Sequence, residues 1–179
     1  DESGAVIVSG KGGLVRVDIP TGDVTSLLDA IDGRPIVAVN DIEADARGGI
    51  FGGTIDFDAI FERGEPPTGG QLFYLAPDGR LRVLREGLTA SNGLGFSPDG
   101  TRLYHSESTR GVWMYALGTD GMPGAAELFA QVDDSDGLVV DSAGRVWVAC
   151  WSTARLLCFR PDGALEAIID ACDSASNAS

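Results

Sequence analysis

The stretch DGLVVDSAGRVWVAC, residues 136–150, decides how this chain is read. It looks like a β-hairpin: an apolar run, a Ser-Ala-Gly turn and a second apolar run. Its opening Asp136-Gly137 is out of place, because a strand bound for a core has no ordinary reason to begin with an acid and a glycine. Two other stretches share the oddity. NDIEADARGGIFGGT (residues 40–54) and NGLGFSPDGTRLYHS (residues 92–106) each open with Asn, then Asp or Gly, then an aliphatic residue. Five places after the first residue, all three carry a polar residue: Asp45, Ser97 or Asp141. A turn containing Gly48, Gly100 or Gly144 follows, and then a second apolar strand.

Downstream of each pair lies a second shared unit, an alternating strand, a turn rich in Pro, Asp and Gly, and a further strand. It reads QLFYLAPDGRLRVL, VWMYALGTDGMPGAAELFA and LLCFRPDGALEAII, and GLVRVDIPTGDVTSLL near the N-terminus fits it too. The turn glycines Gly79, Gly121 and Gly163 recur every 42 residues. Four short strands per unit of roughly 40 to 50 residues, without helical periodicity, predict an all-β chain built of β-propeller blades. A β-sandwich has evenly spaced strands as well, but no reason to repeat Asn or Asp in one register of every fourth strand. In a propeller the first strand of each blade lines a central channel, so Asn40, Asn92 and Asp136 are predicted neighbours at one mouth of it. The blades are expected over residues 1–170: a partial first blade at 1–29, then about 36–87, 90–131 and 134–170, with 171–179 an unassigned tail.

Two amides and a carboxylate around one axis offer only oxygen. Hard oxygen donors in a roomy cluster suit Ca²⁺, with Mg²⁺, Mn²⁺ or Zn²⁺ as other divalent occupants. The plain alternative is that Asn and Asp start these strands because their side chains bond nearby backbone amides. Composition narrows the partners. The 179 residues carry 13 Lys and Arg against 27 Asp and Glu, a formal net charge of −14. Such a surface repels phosphate backbones and anionic lipid, so no nucleic acid or membrane partner is expected. No apolar run approaches the roughly 20 residues that cross a bilayer. Cys150, Cys158 and Cys172 lack metal-site spacing and read as reduced, buried thiols of a cytoplasmic protein. His105 has Ser106 and Ser108 nearby, but no Gly-x-Ser-x-Gly elbow, so it reads as a partly buried histidine bonding to a neighbouring blade. Trp113, Trp147, Trp151, Phe73 and Phe159 read as packing between blades, with Trp151 the one placed nearest a pocket.

The three motif runs, VNDIEADARGGIFGGTID, SNGLGFSPDGTRLYHSES and DGLVVDSAGRVWVACW, resemble the regucalcin/gluconolactonase (senescence marker protein) family, and the likeness extends from about residue 4 to about 169. The resemblance implies a six-bladed propeller with a divalent metal in its channel, here represented by about four blades. It implies Asn92, of the Ser-Asn-Gly motif, as a metal ligand. Asp136, of the Asp-Gly motif, is implied as metal ligand and proton acceptor. Asn40, of the Asn-Asp motif, would contact substrate, and Asp58, four places after Gly53-Thr54, matches a further acidic substrate-site position. There are departures. Ala38 stands where animal members carry an arginine that holds a sugar lactone. In repeat register Asp1 matches Asp45, so a complete relative would carry one more blade before it, with a Glu completing the metal shell. Glu2 would fall on a hairpin turn and could not replace that Glu.

Two functions follow as expectations. One is metal-dependent hydrolysis of a lactone or related ester, with Ca²⁺ polarising the carbonyl and Asp136 assisting water activation. The other is a propeller that binds Ca²⁺ or a small ligand without turnover. Bare apolar faces on the first and last blades are expected to favour oligomers.

Overall fold

In the computed structural model, residues 4–67 and 69–171 are described. Asp1, Glu2 and residues 172–179 of the expected tail, Cys172 among them, lie outside the described residues. The chain divides into two compact units, Asp1–Leu88 and Thr89–Ser179. In the first unit, β1 (Ala5–Gly10), β2 (Gly13–Asp18) and β3 (Val24–Leu28) form a three-stranded sheet. A two-rung hairpin follows, made of β4 (Ala30–Ile31) and β5 (Arg34–Pro35). The unit ends in a four-stranded sheet of β6 (Ala38–Ala44), β7 (Ile50–Ile55), β8 (Gly70–Leu75) and β9 (Leu81–Leu88). In the second unit, β10 (Ala90–Phe96), β11 (Arg102–Ser108), β12 (Gly111–Leu117) and β13 (Pro123–Ala130) make one four-stranded sheet. The other comprises β14 (Ser135–Val140), β15 (Val146–Cys150), β16 (Arg155–Phe159) and β17 (Leu165–Asp170). Every sheet runs in sequence order and every pairing is antiparallel. Among the described residues, no helix is long and apolar enough to cross a membrane, which does not bear on β-barrels.

The repeated turns explain why these residues make meanders. Gly48, Gly100 and Gly144 donate their N–H groups to the carbonyls of Asp45, Ser97 and Asp141, and each sits at positive φ (82°, 67° and 79°) where a side chain would be strained. The polar residue at the head of each turn caps it. Asp45 Oδ1 accepts from the N–H groups of Arg47 and Gly49, Ser97 Oγ accepts from Arg102 N, and Asp141 Oδ1 accepts from Ala143 N and Arg145 N. The last turn of each four-stranded sheet is built alike, with Gly79, Gly121 and Gly163 bonding back three residues.

In every four-stranded sheet the fourth strand is the most exposed. In the second unit β10 is buried along nearly its whole length, while the fourth strands β13 and β17 are largely exposed. The gradient follows from packing sheet on sheet at the first strands: β10 and β11 lie against β14, and in the first unit β1 and β2 lie against β6. Tyr104, Val112, Leu138, Val146, Val148 and Phe159 belong to the core between the second unit's sheets. Leu14, Ile36, Val39, Phe73 and Leu75 belong to the core of the first unit. Phe73 and Phe159 are buried as expected of packing aromatics, whereas Trp151 is 54% exposed.

Candidate functional site

The odd dipeptide is a β-bulge in all three sheets. Pairing passes from Val39↔Thr54 to Ile42↔Gly52, from Ser91↔Glu107 to Leu94↔His105, and from Ser135↔Cys150 to Leu138↔Val148. Two residues of the first strand, Asn40-Asp41, Asn92-Gly93 or Asp136-Gly137, therefore oppose one residue of the second. That one is small each time: Gly53, Ser106 or Ala149. A bulge re-aims its side chains out of the strand's alternation, which frees an Asn or Asp from pointing into the apolar core. The glycine has its own cause. A Cβ on Gly93 would lie 2.2 Å from Leu138 N and 2.9 Å from Gly137 Cα, so β10 and β14 approach backbone to backbone at the two bulges.

The bulges that hold Asn92 and Asp136 thus meet on neighbouring strands of the second unit. Asn92 is buried and Asp136 half-buried. Asn92 Nδ2 donates to Ser108 Oγ at 2.6 Å, and Ser108 Oγ donates to the backbone carbonyl of Ser135, the residue before Asp136. Asn40 and Asp58 belong to the first unit. Asn40 is half-buried, and its carbonyl accepts from Ser9 Oγ at 2.6 Å. Asp58 precedes a single π-helical turn, Ala59–Arg63, and pairs with Lys11 Nζ at 2.9 Å. Ala38 is fully buried and pairs with Ile55. Next to Asn40, burial pushes the Asp41 carboxyl above the usual carboxylate range.

The neighbouring polar groups are structural. His105 is fully buried, and its Nε2 meets Ser91 Oγ at 2.7 Å, a partner in its own sheet where one in a neighbouring blade was expected. A Ser-His pair sealed from solvent cannot receive a substrate. Ser106 and Ser108, one and three residues from His105, lie on the opposite face of β11 from it, so the strand itself separates His105 from both as triad partners. Glu107 is fully buried; its Oε1 accepts from Thr89 N at 3.0 Å and pairs with Arg110 Nη1 at 3.3 Å. Cys150 and Cys158 are free and buried. Burial, then the nearby Asp134 carboxylate, pushes the Cys150 thiol up to about 12, so it is inert as a nucleophile.

With this arrangement in view, the comparisons with known proteins become decisive. The family model for the SMP-30/Gluconolactonase/LRE-like region matches residues 1–178. The chain belongs to this family. It is 35% identical over 130 residues to the pentonolactonase XacC of Haloferax volcanii, covering 69% of this chain and 42% of that protein. It is 32% identical over 168 residues to the 6-deoxy-6-sulfogluconolactonase of Pseudomonas putida, covering 90% and 56%. Among solved structures, a calcium-binding protein, regucalcin, from Agrobacterium tumefaciens superposes with a TM-score of 0.81 at 25% identity, covering 96% of this chain and 58% of that one. The fold class is therefore that of the family's β-propeller. The chain spans about half the length of the curated relatives it matches.

Within this SMP-30/gluconolactonase family member, the donor set suits a hard divalent cation in kind: one amide and one carboxylate, each carried on a bulge. Among the described residues no group of three His, Cys, Asp or Glu side chains that could hold a metal is gathered. Shape alone points elsewhere. A cleft of about 420 Å³ in the first unit is lined by Arg34, Thr54, Asp56, Gln71 and Glu86 among others, but by neither Asn40 nor Asp58. Some of its polar groups are already engaged: Asp56 with Arg63 at 2.7 Å, and Gln71 with Glu86 at 3.2 Å. A second cleft, in the second unit, is lined by Ser97, Asp99, Arg102 and Gly144, at the turn end of β10. That is about five residues, on the order of 16 Å, along the strand from Asn92. The bulged pair carries more chemistry than either cleft. Sequence reasoning singled out that pair through its register but weighed Ser108 only beside His105, missing its bonds to other strands.

Proposed function

We propose that this chain carries the metal-binding side of a site that hydrolyses lactones or related esters. The observation that carries the reading is that the bulge holding Asn92 and the bulge holding Asp136 meet backbone to backbone at Gly93 and Gly137. Relatives named as lactonases supply the reaction class, and a calcium-binding structural neighbour supports a divalent cation. Asn92 and Asp136 would hold that cation, Ca²⁺ first among the candidates. The chemistry a bound divalent cation supplies here is polarisation of the lactone carbonyl and stabilisation of the oxyanion that develops from it. Asp136, half-buried and reachable by water, accepts the proton lost by the attacking water, and Asn92 contributes a neutral oxygen that adds no competing charge. Asn40 and Asp58 are the substrate-contact candidates on sequence grounds. Ala38 places a small apolar group where animal relatives carry an arginine, which argues for a lactone other than gluconolactone.

The test is hydrolysis of a panel of aldono-, pentono- and simple γ-lactones, followed by proton release, with Ca²⁺ and with a chelator. Turnover that needs the metal and falls at least 100-fold in Asp136→Ala is the expected result. Calcium binding without turnover of any lactone would favour a ligand-binding propeller instead. Unchanged Ca²⁺ binding by Asp136→Ala in calorimetry would remove Asp136 from the site.

A further inference from the structure

We infer that Ser108 is a positioning residue that sets which branch of the Asn92 carboxamide is oxygen and which is nitrogen at the proposed metal site, an inference that rests on the hydrolase reading above. The argument is one of proton counting. Ser108 Oγ carries a single hydrogen. The carbonyl of Ser135 can only accept, so that hydrogen is committed to it. Toward Asn92, 2.6 Å away, Ser108 Oγ must then act as acceptor, and only the Nδ2 branch of the carboxamide can donate. The amide nitrogen is thereby fixed on Ser108, which places Oδ1, the only atom of this side chain able to ligate a cation, on the other branch.

The surroundings make the relay rigid. Ser108 is 6% exposed, Asn92 is 6% exposed and the Ser135 side is fully buried, so water does not compete for these bonds. The Ser108 carbonyl is itself held by Thr89 Oγ1 at 2.9 Å, and Thr89 N is held in turn by the buried Glu107 carboxylate at 3.0 Å. The relay also crosses from one sheet to the next: it runs from β10 through the end of β11 to the first residue of β14, one residue before Asp136. One hydroxyl therefore sets the polarity of one ligand side chain and the backbone that carries the other. Groups behind metal ligands commonly contribute 10- to 100-fold in affinity.

The test compares Ser108→Ala and Ser108→Cys, which remove or weaken the donor, with Ser108→Thr, which keeps a hydroxyl on the same carbon. Circular dichroism and thermal melting verify folding of each. Calcium titration calorimetry on the whole chain reads metal affinity, and the ¹⁵N-resolved side-chain amide signal of Asn92 reads its hydrogen bonding without metal. The expected result is a roughly tenfold or greater loss of Ca²⁺ affinity in the Ala and Cys variants, with near wild-type binding in Thr. The Asn92 signal should shift in the first two and hold in the third. Wild-type affinity and an unmoved amide signal in a folded Ser108→Ala overturn the inference. If the wild type itself binds no Ca²⁺ and hydrolyses no lactone, the hydrolase reading fails on its own, and the amide signal decides the relay separately: moved by Ala and kept by Thr, it stands; unmoved, it falls.

Discussion

A Cβ added to Gly93 would come within 2.2 Å of Leu138 N and 2.7 Å of Gly137 C, both backbone atoms that cannot swing aside. The residue after Asn92 is therefore glycine because two backbones meet there, not because the chain turns left-handed. Gly93→Ala must push β14 from β10, and overpacking of this kind costs about 1–3 kcal/mol. The same displacement separates the Asn92 and Asp136 strands. The expected outcome is a lower urea midpoint at unchanged m-value, together with weakened Ca²⁺ binding. A variant with the wild-type midpoint would show that the bulges are not in backbone contact. At this scale the sequence was legible where a residue repeats. Asn92 and Asp136 stood out because their register recurs, and Gly93 and Gly137 because they follow them. The bonds of Ser108 were invisible, since its two partners lie 16 and 27 residues away and no local spacing encodes a hydrogen bond between strands.

At the scale of the element, the hairpin turns were the readable part and the bulges were not. Glycine and a capping side chain announce a turn from four or five residues, whereas a bulge depends on which partner residue each strand residue faces. The β4–β5 hairpin and the π-helical turn at Ala59–Arg63 were also hidden. Two-residue strands and a single turn are too short to show any period. The β14–β15 turn carries its own pH dependence. Asp141 accepts from Trp147 Nε1 at 3.0 Å, from the N–H groups of Arg145 and Ala143, and from Arg145 Nε at 2.7 Å. The indole bond first, then the backbone and guanidinium bonds, hold its carboxyl down to about 2. A carboxylate whose pKa is depressed on folding stabilises the fold above its unfolded value of about 3.9, and this contribution is lost as pH falls toward 2. Asp141→Asn should therefore lower Tm at neutral pH, with the gap to wild type narrowing steadily between pH 4 and pH 2, these bounds following from the two pKa values. A gap of constant size across that range would show that the charged form is not what the turn holds.

For the whole molecule, the opposing terms are charge and bare strands. β1 and β17 are edge strands of their sheets. β1 carries Val6 and Val8, 47% and 43% exposed and two residues apart on one face, with no charged residue in AVIVSG. β17 exposes Leu165, Ile168 and Ile169, each about half, and only Glu166 and Asp170 interrupt it. Natural sheets blunt such edges with lysine, proline or a covering segment, and β1 has none of these within it. Acting against association is the formal charge of −14, which keeps copies apart at long range. That repulsion is screened beyond about 8 Å at physiological ionic strength, while apolar contact is not weakened by salt. A polypeptide of these 179 residues is therefore expected to self-associate, and to do so more strongly as salt rises. Light scattering at low and at 0.5 M salt (about 4 Å of screening) tests both halves of the argument. Mass above 18.6 kDa that grows with salt is the expected result. Replacing Val6 and Val8 with lysine should reverse it, because charge placed on the edge opposes pairing at close range, where screening is least effective. A monomer of 18.6 kDa at both salt concentrations would mean that these edges find their partners within the chain.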